Sequence, residues 1–199
     1  GLDVARNLFC IGTIADMAPL VGVNRRWLID GLPHLAKSPL AGLQALQQLA
    51  GLDDSPLDAQ AVGFQIAPRI NAVGRLGDPQ LVVELLTTED NNRALELARE
   101  CEGLNRQRRE LCSAIEAEAL ALLDADGPQR PPFLLLAQNH WHHGVIGIVA
   151  ARLVDRYGLP AALLAGEGNG RLRASVRSPK GFAVDQALKQ CAPLLERFG

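Results

Sequence analysis

Residues 91–124 run for thirty-four positions without a proline, and Gly103 is their single helix-weakening residue. Apolar side chains recur at Ala94, Leu97, Ala98, Cys101, Leu104, Leu111, Cys112, Ile115, Ala119 and Leu122, close to the helical period. The exception is Asn105–Glu110, a polar stretch in which one apolar position is skipped. One helix over 91–124 would be about 50 Å long at about 1.5 Å per residue. A small domain has no use for that length, so the segment is expected to bridge two bodies. The competing reading breaks it into two helices near Gly103.

The flanks differ in character. Leu8-Phe-Cys-Ile-Gly-Thr13 reads as a short buried strand ending in a polar turn at Asp16, followed by helical stretches around 23–36, 40–50, 59–68 and 78–87. Pro39, Gly51 and Gly74 are the expected breaks. Beyond the long helix, Asp124–Pro132 is turn-rich and proline-rich, as a domain boundary would be. Then come a buried strand at Phe133–Ala137, an amphipathic helix at Gly144–Tyr157 closed by Gly158-Leu-Pro160, and a strand at Ala161–Ala165, the order of a βαβ unit. A strand at 171–178 and a helix at 183–195 complete a small α/β body.

Charge narrows the function classes. Twenty basic and twenty-two acidic residues leave a formal charge of −2, which excludes a strongly basic nucleic-acid binder. Aromatic residues make up 4% of the chain, which argues against a platform built on base stacking. Residues 1–90 hold ten acids and six bases, whereas residues 91–199 hold twelve acids and fourteen bases, so the C-terminal half is the expected anion binder. No apolar run is long enough to cross a bilayer and no targeting pattern opens the chain. The four cysteines lack any CxxC pair and read as reduced core thiols. The expectation is a cytoplasmic protein with no membrane partner.

Four segments could carry chemistry. In Arg171-Leu-Arg-Ala-Ser-Val-Arg-Ser178 a period of two puts Arg171, Arg173, Ser175 and Arg177 on one face and Leu172, Ala174 and Val176 on a packing face. Residues 169–181 hold four bases and no acid, which favours phosphate recognition over a merely solvated edge strand. His140-Trp-His-His-Gly144 stands between a strand and a helix, where free main-chain N–H groups and an imidazole can meet an anion. A metal site and a plain surface turn are its alternatives. In Pro68-Arg-Ile-Asn-Ala-Val-Gly-Arg75, the donors Arg69, Asn71 and Arg75 could grip phosphate beside Gly74, or pair with local acids such as Asp78. Asp16 stands at the expected strand end, where open α/β sheets bind ligands, but one carboxylate does not hold a catalytic ion alone, and capping the turn is its plain alternative. His34 has no visible partner and reads as structural.

Together, Gly12-Thr-Ile-Ala-Asp16, Pro19-Leu20, Asn24-Arg25, Pro68–Arg75, Trp141–Ala150 and Ala174–Ser178 resemble, in order, the motifs of the RecJ-type exonucleases of the DHH phosphoesterase superfamily. The resemblance covers essentially the whole chain. It implies an α/β architecture: the C-terminal part of a DHH domain at 1–90, a bridging helix at 91–124 and a DHH-associated domain at 130–199, with DNA in a groove between the domains. It implies a metal-dependent 5′→3′ exonuclease hydrolysing phosphodiester bonds of single-stranded DNA in repair and recombination. Asp16 would be a catalytic ligand of Mn²⁺ or Mg²⁺, and Arg69, Asn71 and Arg75 would line the catalytic side. His142, the second catalytic candidate, would hold substrate phosphates from the other domain with Ser175, Arg177 and Ser178, and Arg173 of the basic strand face is expected to bind substrate beside them. Single-stranded DNA, a single-strand-binding protein and a helicase are the implied partners.

The chain departs from that pattern at three places. The Asp-x-Asp and Asp-His-His motifs that supply the remaining metal ligands are missing, and are expected upstream of Gly1 in a complete enzyme. The Gly-Gly-His segment expected after Arg197-Phe-Gly199 is missing too, and Ala174 stands where glycine is usual. The chain therefore reads as an internal fragment, inactive alone. A small-nucleotide phosphodiesterase of the same superfamily and a non-catalytic nucleic-acid-binding scaffold are the competing functions.

Overall fold

A computed structural model describes residues 2–52, 56–125, 127, 130–168 and 170–198. The chain divides into two compact units, Gly1–Arg108 and Arg109–Gly199. The division falls inside a single 35-residue helix, α7 (Asn91–Ala125), which passes Gly103 without a break. It coincides with the polar stretch Asn105–Glu110. Ala94, Leu97, Ala98 and Cys101 join the core of the first unit, whereas Cys112, Ile115, Ala119 and Leu123 are buried in the second. The skipped apolar position thus marks where one core ends and the other begins. Asn105 is itself buried, and its Oδ1 accepts from Arg108 Nη2 at 3.0 Å. Residues 126, 128 and 129, part of the expected boundary stretch, lie outside the described residues.

The first unit is helical among its described residues. It contains α1 (Leu2–Ala15), α2 (Gly22–Leu35), α3 (Ala41–Ala50), α4 (Ala59–Ala61), a π turn (Val62–Ile66), α5 (Ala67–Leu76) and α6 (Gln80–Thr87), followed by α7. The strand expected at Leu8–Thr13 is part of α1. A short, mostly apolar run fits a strand or a buried helix segment equally, and here the flanking residues extend it at helical spacing. Asn7, Cys10, Ile11 and Thr13 form the buried stripe, with Asn7 Nδ2 donating to Ser38 Oγ at 2.8 Å.

The helical stretch expected at 59–68 runs on to Leu76, through Gly74, because the π turn widens the coil just ahead of Pro68. A proline ring inside a regular α-helix clashes with the carbonyl four residues earlier, and the wider turn relieves that crowding. Gly42 permits the closest helix contact: a Cβ there would lie 1.9 Å from the Leu85 carbonyl oxygen, so α3 and α6 meet backbone to backbone.

The second unit holds β1 (Leu134–Gln138), α8 (His143–Tyr157), β2 (Ala161–Gly168), β3 (Arg171–Arg177) and α9 (Val184–Gln190). The sheet order is β1-β2-β3, with β1 and β2 parallel across α8 and β3 antiparallel to β2. The expected βαβ order is therefore realised. The last expected helix is shorter, and the chain turns through a 3₁₀ segment at Ala192–Leu194.

Register shows which face is covered. Leu134 and Leu136 pair with Ala161 and Leu163, which pair in turn with Arg177 and Ser175. The four apolar members of that row are buried, and α8 packs on their side. The opposite face carries Leu135, Leu172 and Ala174, all exposed. On β3 the side expected to pack is largely open, with Leu172 and Ala174 exposed and Val176 half-buried, while on the other side Ser175 and Arg177 reach α8 at Gly147. Cys191 is exposed, unlike the other three cysteines, and all four are free thiols. No helix among the described residues is long and apolar enough to cross a membrane.

Candidate nucleic-acid interface and carboxylate site

The second unit builds one cluster at the start of α8. His142 is the N-cap, and its Nδ1 accepts the Gly144 main-chain N–H at 3.0 Å. This bond uses a helix-terminal donor expected to be open to an anion; the imidazole takes its place. An Nδ1 that accepts has no proton, so neutral His142 carries its hydrogen on Nε2 and presents it as a donor. Burial, and then the neighbouring His143, hold the His142 pKa below the ordinary imidazole value of 6.5. The two rings stack with centroids 4.9 Å apart and planes 15° from parallel.

The turn before the cap is tied to α7. Glu118 Oε2 accepts the Trp141 indole N–H at 2.7 Å and lies 2.9 Å from His140 Nε2. These two bonds, Trp141 first, hold the Glu118 carboxyl below its usual range. A carboxylate thus stands beside the histidine run, supplied from α7 more than twenty residues earlier in sequence. No group of three His, Cys, Asp or Glu side chains placed to bind a metal occurs among the described residues.

Ser175 and Arg177 sit against the same helix. A Cβ on Gly147 would lie 3.1 Å from Ser175 Oγ and 3.2 Å from Arg177 Nη2, so glycine makes the room in which both polar groups lie on α8. Gly147 lies within the Trp141–Ala150 motif, but its part in seating two β3 side chains is visible only in the fold. Arg177 Nη1 also donates to the Val176 carbonyl at 2.8 Å, and Ser178 Oγ donates to the Phe182 carbonyl at 3.1 Å. The expectation that the β3 arginines lack internal partners fails for two of them: Arg173 pairs with Glu167 at 3.2 Å and Arg171 with Glu196 at 3.4 Å. Both acids lie outside residues 169–181, so a window count did not include them. Among the described residues Arg177 has no carboxylate partner.

The first unit places Asp16 at the C-terminal end of α1 rather than at a strand end. Ala18 N–H bonds Thr13 O at 3.0 Å and Met17 N–H bonds Ile14 O at 3.1 Å, closing the helix with Met17 at φ 52°. Two local preferences are violated side by side. A carboxylate sits where the helix dipole is negative, and a non-glycine residue takes the left-handed conformation. Such paired conflicts occur where function constrains sequence. Asn71 reaches this turn, its Nδ2 donating to Ala15 O at 2.9 Å. Arg69 is committed internally, its Nε 2.6 Å from Glu102 Oε2 and its Nη1 bonded to Gln65 O. Arg75 lies exposed on the last turn of α5, and Gly74 has no neighbouring atoms that its missing Cβ would meet, so no close backbone approach occurs there. Asp78 caps the start of α6, accepting from Gln80 N–H at 2.9 Å.

The sheet, the covering helix and the capped turn define a domain class: residues 131–199 match the DHHA1 domain family. The chain as a whole matches a segment of RecJ, in sequence and in fold. It is 39% identical over 99% of its length to the single-stranded-DNA-specific exonuclease RecJ of Bacillus subtilis, covering 25% of that protein. It is 35% identical over 92% of its length to the Escherichia coli enzyme of the same name, covering 33% of it. The crystal structure of RecJ in complex with Mg²⁺ from Thermus thermophilus superposes with a TM-score of 0.86 at 34% identity, over 99% of this chain and 30% of that one. The Mn²⁺ complex from the same organism gives 0.86, over 99% of this chain and 28% of that one. The chain spans about a quarter to a third of the length of the curated relatives it matches.

Proposed function

We propose that this chain contributes the substrate-holding part, and one metal ligand, of a DHH-family exonuclease that hydrolyses phosphodiester bonds of single-stranded DNA in the 5′→3′ direction. The observation that carries the reading is the placement of Ser175 and Arg177 on α8 at Gly147, five residues beyond the His142 cap. A hydroxyl, a guanidinium without a carboxylate partner among the described residues and an imidazole presenting Nε2–H are donors suited to phosphate oxygens. Ser178 and Arg173 flank them.

In the first unit Asp16 offers one hard oxygen ligand of the kind Mn²⁺ and Mg²⁺ prefer. Asn71 fixes the turn that carries it, and Arg75 adds a cation one turn further along α5. The described residues provide no further ligand set, so Asp16 fits the ion as one contributor and does not hold it alone. The 199-residue chain is accordingly expected to bind DNA without cleaving it. Cytoplasmic action in repair and recombination, alongside a single-strand-binding protein and a helicase, completes the proposal.

Fluorescence anisotropy with a short oligothymidylate, repeated over a range of salt concentrations, tests the phosphate role. Arg177→Ala is expected to weaken binding and to lower the salt slope by about one counterion. An unchanged affinity and slope would remove Arg177 from the site. Metal-dependent release of nucleotides by the purified 199-residue chain would overturn the expected inactivity.

A further inference from the structure

We infer that Glu118 is a positioning residue for His142, holding the turn that sets the histidine over the start of α8. This rests on the reading of His142 as a substrate-binding group and extends it to a residue remote in sequence. Three bonds in series carry the inference. Glu118 Oε2 takes the Trp141 N–H at 2.7 Å and stands 2.9 Å from His140 Nε2; the next residue, His142, accepts Gly144 N–H at 3.0 Å. One carboxylate oxygen therefore binds two consecutive side chains immediately before the cap.

The anchor is firm at one end and open at the other. Trp141 is 3% exposed, so its indole N–H must find an acceptor inside the protein. Glu118 stands on α7, and two residues earlier Glu116 Oε2 binds Arg152 Nη1 of α8 at 2.6 Å, so α7 holds both the approach to α8 and its body. With the turn fixed at Trp141, His142 has little freedom except its own χ angles. The bond to Gly144 then settles the ring orientation and leaves Nε2–H as the outward donor. A phosphate-binding group held this way loses little freedom when substrate arrives, and an unanchored turn would have to be ordered on binding.

The test is a double-mutant cycle on the 199-residue chain. Oligothymidylate affinity is measured for Glu118→Ala, His142→Ala and the double variant, with the His142 ring ¹⁵N shifts as a second readout. Glu118→Ala is expected to weaken binding about threefold or more in the presence of His142 and to have little further effect in its absence, the signature of coupled residues. It should also move the ring signals away from the single Nε2–H tautomer. Glu118→Gln keeps an acceptor for the indole and should restore both readouts, which guards against a folding defect in the alanine variant.

Equal losses with and without His142, or ring signals unmoved by Glu118→Ala, would overturn the inference. Failure of the underlying reading shows separately: His142→Ala would then bind as tightly as the unaltered chain, and the inference would fall with it.

Discussion

The side-chain amide of Asn71 donates to the main-chain carbonyl of Ala15 at 2.9 Å, across 56 residues of sequence, and Asp16 is the next residue. An otherwise open carbonyl at the end of α1 is satisfied by a side chain from α5, and the proposed metal carboxylate takes its position from that bond. Asn71→Ala is expected to remove about 1 kcal/mol from the stability of the first unit. The loss should be largest locally, as faster amide hydrogen exchange at residues 16–18. Unchanged exchange there would show that the helix end is held by other contacts.

Met17 closes the same helix at φ 52°, a conformation costly for a side chain with a Cβ. Met17→Gly is expected to stabilise the chain, by up to about 1 kcal/mol once the extra freedom of unfolded glycine is counted. Asp16→Asn should add about 0.3–1 kcal/mol by removing an acid from the negative end of the helix dipole. Urea unfolding of the two variants checks both. In a cleavage-competent parent enzyme, Asp16→Asn should abolish activity while raising stability, the opposite of what a merely structural carboxylate would do.

Arg173 is held by Glu167 at 3.2 Å, and this pair competes with any phosphate that approaches β3. Exposed pairs of this kind are worth about 0.2–1 kcal/mol. Glu167→Gln is therefore expected to tighten oligothymidylate binding, up to about fivefold at low salt, with the gain fading as salt rises. Weaker binding in this variant would mean that Glu167 positions Arg173 for the substrate instead of restraining it.

His142 titrates in the direction that favours the folded protein at neutral pH. Burial lowers its pKa from 6.5, so below that value the unfolded chain takes up the proton first. The stabilisation is present above pH 6.5 and is lost as pH falls through the depressed folded value. Protonation also removes the acceptor from Nδ1, breaking the bond to Gly144. The pH dependence of stability over that window should flatten in His142→Asn, which can still cap the helix but does not titrate. Unfolding curves collected at successive pH values provide the comparison.

How far sequence determined this protein varies by element. Local periodicity carried most of α7, where only a break at Gly103 competed with one long helix and the polar interruption at Asn105–Glu110 recorded the change of core. It sufficed also for β1-α8-β2, where apolar runs and a closing Gly158-Leu-Pro160 fix the order. It did not suffice for Leu8–Thr13, where a short, mostly apolar run suits a strand or a helix and the wider spacing of Asn7, Cys10 and Ile11 against the core belongs to a helix. Period two divided β3 into Arg173/Ser175/Arg177 and Leu172/Ala174/Val176, but only tertiary packing decided that Ser175 and Arg177 meet α8. Electrostatic partners were the least legible part. Glu118, Glu102, Glu167 and Glu196 each bind a group whose partner lies outside its own sequence segment, and Gly147 makes room for two donors it never adjoins in sequence. Backbone periodicity is a property of neighbouring residues, and sequence carries it directly. Charge pairing and close approach depend on distances between elements, which exist only once the chain has folded.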